Sequence, residues 1–239
     1  MWWFVAAHAN LLLLYRRATR QGTARPLLDA GCGTGGLLAR IAAAHPERIT
    51  IGLDADHLAC IRAAEKSGRP VCTGSVNALP FPDAAFDAIF SADVLCHRAV
   101  DEGAALAQFH RCLGEAGVLI LNLPAYRWMM SRHDEAVYNV RRYTRQRVVG
   151  LLEAAGFRIV FASYWNLMLF PIMVLTRKIL PATSGTTSDV KLYAAPIEAL
   201  CRAATGFERA LLRGGLRLPF GGSVIAIASK DVIPGKRHA

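Results

Sequence analysis

Short apolar runs alternate along this chain with stretches in which apolar residues recur at helical spacing. The first 25 residues predict a largely apolar helix, and strand-like and helix-like segments then follow one another with short links. Such alternation predicts an α/β fold, with a parallel sheet covered by helices on both faces. The expected strands lie at 26–30, 49–53, 71–74, 86–91, 117–123, 157–164 and 223–229, with helices at 34–45, 56–67, 102–113 and 144–155.

Local residues indicate where two of these helices begin or end. Gly114 is expected to stop the helix at 102–113, and Thr144 is expected to cap the start of the helix that ends before Gly156. The last two strands are expected to pair antiparallel at the edge of the sheet. The expected total is therefore a seven-stranded, mostly parallel, Rossmann-like sheet.

Nearly sixty residues separate the last two predicted strands. This insertion starts with an apolar run at 165–175 that Pro171 is expected to break, continues through a Ser/Thr/Gly linker at 181–189 and ends with an amphipathic helix at 196–212. The apolar run is too short to span a bilayer, so the insertion either covers a pocket, lies in a membrane interface or forms a dimer contact. The predicted units are an N-terminal helix (1–25), a core (26–165), the insertion (166–222) and a last strand with a tail (223–239).

Composition limits the cellular compartment and the partners to be expected for this protein. Hydrophobic residues make up 53% of the chain, and its six cysteines form no C-x-x-C pair, which predicts buried free thiols in a reducing cytosol and no zinc site. The first residues lack the basic region of a signal peptide, so a cytoplasmic location is expected. The net charge of +10 favours an anionic membrane or a phosphorylated substrate over nucleic acid, since no nucleic-acid-binding module is recognisable. A merely basic surface is the alternative.

The segment LLDAGCGTGG at 27–36 predicts a strand that ends abruptly and turns into a helix. Its glycines stand at Gly31, Gly33 and Gly35, where a Cβ would forbid the backbone angles or hold a ligand away from the main chain. The G-x-G-x-G spacing differs from the G-x-G-x-x-G fingerprint of dinucleotide-binding proteins. The loop therefore predicts a close ligand other than a nicotinamide or flavin dinucleotide.

Polar residues follow the next two predicted strands. Asp54 ends the second strand, and a carboxylate there can accept both hydroxyls of a ribose. Asn77 follows the third strand, where its side chain can face the amino group of an adenine. Ligands of open parallel sheets bind beyond the carboxyl ends of the strands. Three such ends in succession predict a nucleoside site.

Residues 27–124 resemble the Methyltransferase-11 type of class I S-adenosylmethionine-dependent methyltransferases, through LLDAGCGTGG, IGLDAD, GSVNALPFPDAAFDAIFSADVLCH and LGEAGVLILNLP. The resemblance implies S-adenosyl-L-methionine as the cofactor, with the glycine loop against its methionine part and Asp54 on its ribose. Where the family commonly has an acid at the adenine, this chain has Asn77. Asp29 is expected either to position the loop and the cofactor's ammonium or to cap loop amides. The implied cofactor site comprises Asp29, Gly31, Cys32, Gly33, Gly35, Asp54, Ala55, Ser75, Asn77, Ala78, Ser91 and Asp93.

The stretch 126–144 resembles the HD…H-x-R-R-Y-T segment of a bacterial subgroup associated with lipid-linked or cell-envelope compounds. The Trp2-Trp3-Phe4 opening and the layout of 125–230 fit the same subgroup. Because Asn139 replaces the second histidine, His133 is the predicted base, with Asp134 as its orienting partner; a loop-to-helix cap is the alternative for the pair. Arg141 and Arg142 are expected to hold an oxyanion of the substrate or to pack Tyr143 and pair with acids. The predicted substrate site comprises His97, Tyr126, Arg141, Arg142 and Tyr143.

These observations predict a metal-independent methyltransferase that acts on oxygen, nitrogen or carbon of an apolar or lipid-linked acceptor, including anionic ones. A methyltransferase of a soluble metabolite and a non-catalytic cofactor-binding scaffold are the alternatives. A nucleic-acid substrate is disfavoured, because the chain lacks the Asn/Asp-Pro-Pro-Phe/Tyr signature of enzymes that methylate base amino groups. A peripheral contact with the inner face of the membrane and a homodimer are the partners considered.

Overall fold

A computed structural model describes residues 1–18, 25–179 and 194–230. The strands are β1 (Leu27–Ala30), β2 (Thr50–Asp54), β3 (Val71–Thr73), β4 (Phe86–Ala92), β5 (Leu113–Pro124), β6 (Phe157–Trp165) and β7 (Ser223–Lys230). The α-helices are α1 (Trp2–Ala18), α2 (Gly36–Ala44), α3 (His57–Ser67), α4 (Glu102–Cys112), α5 (Arg132–Ala136), α6 (Arg145–Ala154), α7 (Phe170–Val174) and α8 (Ala195–Arg213). A 3₁₀ turn spans Arg127–Met129, and a π-helical turn, Leu175–Ile179, follows α7.

The seven strands form a single sheet in the order β3-β2-β1-β4-β5-β7-β6. All neighbouring pairs are parallel except those of β7, which runs antiparallel to both β5 and β6. This arrangement confirms the predicted Rossmann-like, mostly parallel sheet and the antiparallel pairing of the last two strands. Because β6 and β5 are both antiparallel to β7, they point the same way, and β1, β2, β4, β5 and β6 end at one side of the sheet, here called the carboxyl edge.

The first helix and the long helix of the insertion pack side by side in the same direction. The amino group of Met1 lies 4.0 Å from Glu198. Further along, Arg209 donates to the side chain of Asn10 (3.1 Å). The start of α1 reaches the carboxyl edge, where the ring centroids of Trp3 and Trp165 are 5.9 Å apart. The insertion therefore begins beside the end of β6 and is fastened to the N-terminal helix.

Two local expectations were wrong, and one lies outside the described residues. Helix α4 ends at Cys112, and β5 begins at Leu113, so Gly114 lies within the strand and does not stop the helix. Pro171 does not interrupt a helix but stands in the first turn of α7, where its missing N–H has no partner to lose. The predicted cap at Thr144 is confirmed by its acceptance of the Arg147 N–H at 3.2 Å. The predicted linker at 181–189 is not among the described residues.

All six cysteines are free thiols and five are buried, which confirms the predicted free thiols. In the described part of the chain, no helix combines the length and the apolar character needed to cross a membrane.

Candidate functional site

The glycine loop joins β1 to α2 at the carboxyl edge. Gly33 and Gly35 have positive φ angles of 52° and 78°. A Cβ on Gly35 would lie 2.7 Å from the Cα of Ala63, and one on Gly31 would overlap the side chain of Val94. A Cβ on Gly33, in contrast, would meet nothing within 4 Å. Two glycines thus allow close packing within the protein, whereas Gly33 borders open space from which a ligand can approach the backbone.

The acid at the end of β2 is bound to this loop. Asp54 accepts the N–H of Gly33 at 2.8 Å on one carboxylate oxygen and the N–H of Asp56 at 3.0 Å on the other. Asp54 remains half-buried and borders the open side of the loop. The structure therefore brings Gly33 and Asp54 together, as expected for residues at neighbouring strand ends.

Asp29 lies beneath the loop, and its carboxylate is only partly satisfied. Its side chain is 1% exposed, and one carboxylate oxygen has no hydrogen-bond partner. Burial raises the pKa of Asp29 to about 7, although a hydrogen bond from the backbone of Leu38 opposes the shift. A buried acceptor without a partner is costly, and a cationic group of a ligand would relieve that cost. Cys32 of the same loop is also buried, and burial raises the pKa of its thiol.

The segment after β3 is hydrogen-bonded through Asn77 to the loop before α4. The Asn77 side chain donates to the carbonyl of Ala99 at 3.0 Å and accepts the N–H of Asp101 at 3.0 Å. Both of its polar atoms therefore have protein partners, and the adenine contact predicted for Asn77 stays a prediction. Three other predicted cofactor residues lie at the surface of these strand ends: Ala55, Ser75 and Ala78.

Side chains at the ends of β4, β5 and β6 form a chain of hydrogen bonds. The indole of Trp165 donates to the side-chain oxygen of Asn122 at 2.7 Å, and the Asn122 amide donates to Asp93 at 3.1 Å. Asp93 has a φ of 56°, and burial of its carboxyl group raises its pKa to about 7 despite the opposing charge of Arg142. Ser91 lies two residues before Asp93, within β4, and is buried with an unpartnered hydroxyl. This chain is fully buried at Asn122 and Trp165 and half-buried at Asp93.

The predicted catalytic pair lies on α5, where Asp134 has several partners. Its carboxylate accepts Arg142 through both oxygens (3.1 and 2.9 Å) and also accepts the N–H of Ser131 at 2.9 Å. Burial raises the pKa of Asp134, but Arg142 outweighs that effect and holds the pKa below its ordinary value. Ser131 and Asp134 form a capping box, which is the loop-to-helix cap that the sequence left as an alternative. His133 is half-buried beside them, and its role as a base stays a prediction.

The remaining predicted substrate residues divide between loop packing and an aromatic cluster. Arg141 donates to the carbonyls of Leu95 (3.0 Å) and His97 (2.9 Å), and the buried Tyr143 hydroxyl donates to Leu95 at 2.8 Å. These contacts hold the loop that follows β4, next to Asp93. Tyr126 instead stacks on Tyr164, with ring centroids 5.2 Å apart.

Three residues that shape this edge were missed by the sequence analysis. Asn122 and Trp165 belong to the polar chain, and Glu208 on α8 accepts the backbone N–H groups of Asn166 and Met168, each at 2.7 Å. A polar residue inside the apolar run of β5 is a signal for Asn122. For Glu208 the signal is an acid on the buried face of an otherwise well-patterned helix.

The strand order, the glycine loop and the acid at the end of β2 define a Rossmann-like class of cofactor-binding domain. Residues 28–121 match the family model described as a methyltransferase domain, of the Methyltransferase-11 type. A probable S-adenosylmethionine-dependent methyltransferase of Mycolicibacterium smegmatis is 28% identical over 153 residues, which cover 62% of this chain and 57% of the relative. This chain therefore spans a little over half the length of that relative.

Solved structures of low sequence identity share the fold. A putative sarcosine dimethylglycine methyltransferase of Galdieria sulphuraria has a TM-score of 0.63 at 14% identity, over 95% of this chain and 86% of that one. Geranyl diphosphate C-methyltransferase of Streptomyces coelicolor, solved with Mg²⁺, geranyl diphosphate and S-adenosyl-L-homocysteine, has a TM-score of 0.59 at 14% identity, over 93% of this chain and 78% of that one. Residues 28–121 thus match a methyltransferase domain, and the chain is similar to curated proteins named probable S-adenosylmethionine-dependent methyltransferases.

The residues present fit that cofactor. The open space over Gly33 leaves room beside the backbone, and the carboxylate of Asp54 borders it. The unpartnered oxygen of Asp29 suits the positive charge of an amino-acid ammonium.

Proposed function

We propose that this protein transfers a methyl group from S-adenosyl-L-methionine to oxygen, nitrogen or carbon of an apolar or lipid-linked acceptor, without a metal ion. The observation that carries the proposal is the open space over Gly33, bordered by Asp54, at the same edge as Asp93. Within the described ranges, no three His, Cys, Asp or Glu side chains are grouped as metal ligands. We propose the cytoplasmic face of a membrane as the setting.

The cofactor supplies a methyl group already activated on a sulfonium when it is bound. We assign the ribose hydroxyls to Asp54 and the ammonium to Asp29, whose free oxygen would gain a partner. Gly33 lets the backbone approach the methionine part, while Gly31 and Gly35 let the loop pack against Val94 and Ala63. The adenosine side is assigned to residues that follow the strand ends: Cys32, Ala55, Ser75, Asn77 and Ala78. Ser91 and Asp93 border the place where the methyl group leaves the sulfur.

An aromatic cluster supports an apolar acceptor. The Tyr126 ring lies 5.7 Å from Trp128 and 5.6 Å from Phe170, and Phe170 lies 6.0 Å from Phe220. These residues follow β5, follow β6 and precede β7, so they surround the carboxyl edge. Flat apolar walls of this kind bind hydrocarbon chains and rings with little polar selection. A protein of the same fold was solved with geranyl diphosphate bound, so the fold can receive such a ligand.

We assign proton removal from an O–H or N–H acceptor to Asp93. Asn122 occupies one of its carboxylate oxygens, which leaves the other to accept the proton as the methyl group is transferred. A pKa near 7 suits a base at neutral pH. His133, the base that the sequence predicts, is the second candidate. For Asp134 we favour a positioning role through Arg142 over a direct role beside His133.

Cofactor binding is tested by thermal shift and calorimetry with S-adenosylmethionine and S-adenosylhomocysteine. We expect Asp54→Asn to weaken binding at least about tenfold, because the amide loses one acceptor oxygen. Asp83→Asn is the matched control, since Asp83 is 79% exposed and distant from the strand ends. Absence of any stabilisation of the native protein would overturn the cofactor assignment.

The acceptor class is tested by transfer of labelled methyl groups into fractionated bacterial extracts. Label in the lipid fraction supports the proposal. Label confined to the aqueous fraction indicates the soluble-metabolite alternative. Tight cofactor binding without transfer to either fraction indicates the scaffold alternative.

A further inference from the structure

Exposed apolar side chains concentrate in the insertion. Of the 17 large hydrophobic residues that are exposed among the described residues, eight lie within 166–222. Some line α8, but others surround the aromatic cluster at the carboxyl edge. The latter are Met168, Ile172 and Phe220, which together with Trp128 we call the apolar rim.

Contacts with one buried ring hold much of the apolar rim together. Phe170 lies 6.0 Å from both Trp128 and Phe220. Strand register places the attached segments at one level, because Ser223 pairs with both Pro124 and Trp165. The buried carboxylate of Glu208 holds the backbone of Met168 in place at 2.7 Å. Apolar side chains are thus held outward at the mouth of the site, although folding would favour their burial.

Positive charge adjoins the apolar rim. Arg127 and Arg132 are exposed and flank Trp128 in sequence, and no acidic side chain of residues 1–18, 25–179 or 194–230 forms an ion pair with them. Within residues 127–135 the exposed acid is Glu135, so the exposed cations of this stretch outnumber its exposed anions. A symmetric contact between two copies would bring like charges together at this surface, whereas anionic headgroups would neutralise them.

We infer that the apolar rim docks onto a bilayer containing anionic lipids, with Trp128 and Ile172 entering the interface and Arg127 and Arg132 on the headgroups. An indole flanked by arginines matches the polarity gradient of a membrane interface. The inference rests on the proposed function in one respect: docking would place the mouth of the acceptor site against the membrane from which an apolar acceptor enters. Vesicle binding itself requires no turnover.

The test is co-sedimentation of the full chain with vesicles of phosphatidylcholine, with and without 30% phosphatidylglycerol. We expect binding to the anionic vesicles at low salt and at least a tenfold weaker partition at high salt or with Arg127→Glu/Arg132→Glu. Ile172→Ser should lower the partition about fivefold. Ile49→Ser is the matched control, because Ile49 is equally exposed (59%) but precedes β2 at the opposite edge.

Tryptophan fluorescence gives an independent readout. A blue shift on vesicle binding that Trp128→Phe removes would place this indole in the interface. The inference is overturned if the native protein does not co-sediment with anionic vesicles, or if Ile172→Ser and Ile49→Ser lower the partition equally. Concentration-dependent dimers that Trp128→Ser abolishes would also overturn it, in favour of a second copy. Cofactor affinity of Ile172→Ser, expected to be unchanged, separates failure of docking from failure of the proposed function.

Discussion

The indole nitrogen of Trp165 donates a 2.7 Å hydrogen bond to the side-chain oxygen of Asn122, across the intervening strand β7. Both side chains are fully buried. The Asn122 amide in turn donates to Asp93. Trp165, directly before the insertion, is therefore linked to the residue that we assign to proton removal. A change in the insertion can therefore reach the reacting edge through two hydrogen bonds.

Replacing Asn122 by alanine should destabilise the protein and disturb Asp93. The substitution leaves a buried indole N–H and a carboxylate oxygen without partners, at a cost of about 2 to 4 kcal/mol in the free energy of unfolding. Urea unfolding measures this loss. Trp165→Phe removes the indole N–H and also leaves a cavity, so its cost includes lost packing as well as the lost hydrogen bond. Equal stability of Asn122→Ala and the native protein would show that the two bonds contribute nothing.

The pH dependence of methyl transfer identifies the base. A carboxylate accepts a proton only when it is ionised, so with a pKa of about 7 at Asp93 the rate should rise from pH 5.5 to 7.5 and then level off. Asp93→Asn should lower the plateau on an O–H or N–H acceptor by about 100-fold or more. His133→Asn is the comparison. A large loss in His133→Asn with little change in Asp93→Asn would transfer the role to His133.

Alanine at two glycines of the loop should have different effects. At Gly35 the new Cβ would lie 2.7 Å from the backbone of α3, so we expect a loss of more than about 2 kcal/mol in the free energy of unfolding. At Gly33 only the left-handed backbone is strained, at about 1 to 2 kcal/mol. Gly33→Ala should nevertheless bind the cofactor at least about tenfold more weakly, because its methyl group enters the open space. Unchanged affinity, measured by calorimetry, would place the cofactor elsewhere.

Glu208 should control the order of the segment after β6. Glu208→Gln replaces one acceptor oxygen with an amide that opposes a backbone N–H, at about 2 kcal/mol. Hydrogen exchange at the amides of Asn166 and Met168 should accelerate in this variant. Glu135→Gln, at an exposed acid, should leave both rates unchanged. Slow exchange at both amides in Glu208→Gln would show that the Glu208 carboxylate does not hold this segment in place.

His8 should make the folded state sensitive to acid. Burial, aided by Arg40, lowers the pKa of His8 from 6.5 to about 4. Between those values the unfolded chain binds a proton that the folded chain does not, so stability rises with pH across this window and is lost as pH falls. From pH 7.5 to 5 the contribution is about 1 to 2 kcal/mol. His8→Gln should reduce this pH dependence in urea unfolding, and His57→Gln, at an exposed histidine, should retain it.

Local patterns of the sequence were sufficient for most elements and for the position of the glycine loop. Helical and strand periodicity, the Thr144 cap and the glycine spacing are properties of a few neighbouring residues, and each was confirmed. The error at Gly114 arose where helix and strand join without a turn. The helix ends there because β5 begins at once, with Leu113 already paired to Phe86 of β4.

The sequence by itself determined the fold class, the glycine loop and the acid at the end of β2, because these depend on short-range pattern and on the order of strands. Only the tertiary structure decided which polar groups meet. Asn122 and Trp165 are 43 residues apart in sequence, and Glu208 is 42 residues from Asn166. Each pair meets because antiparallel β7 places β6 two positions from β5 and because α8 packs along α1. Such contacts follow from packing between distant segments, which no local pattern encodes.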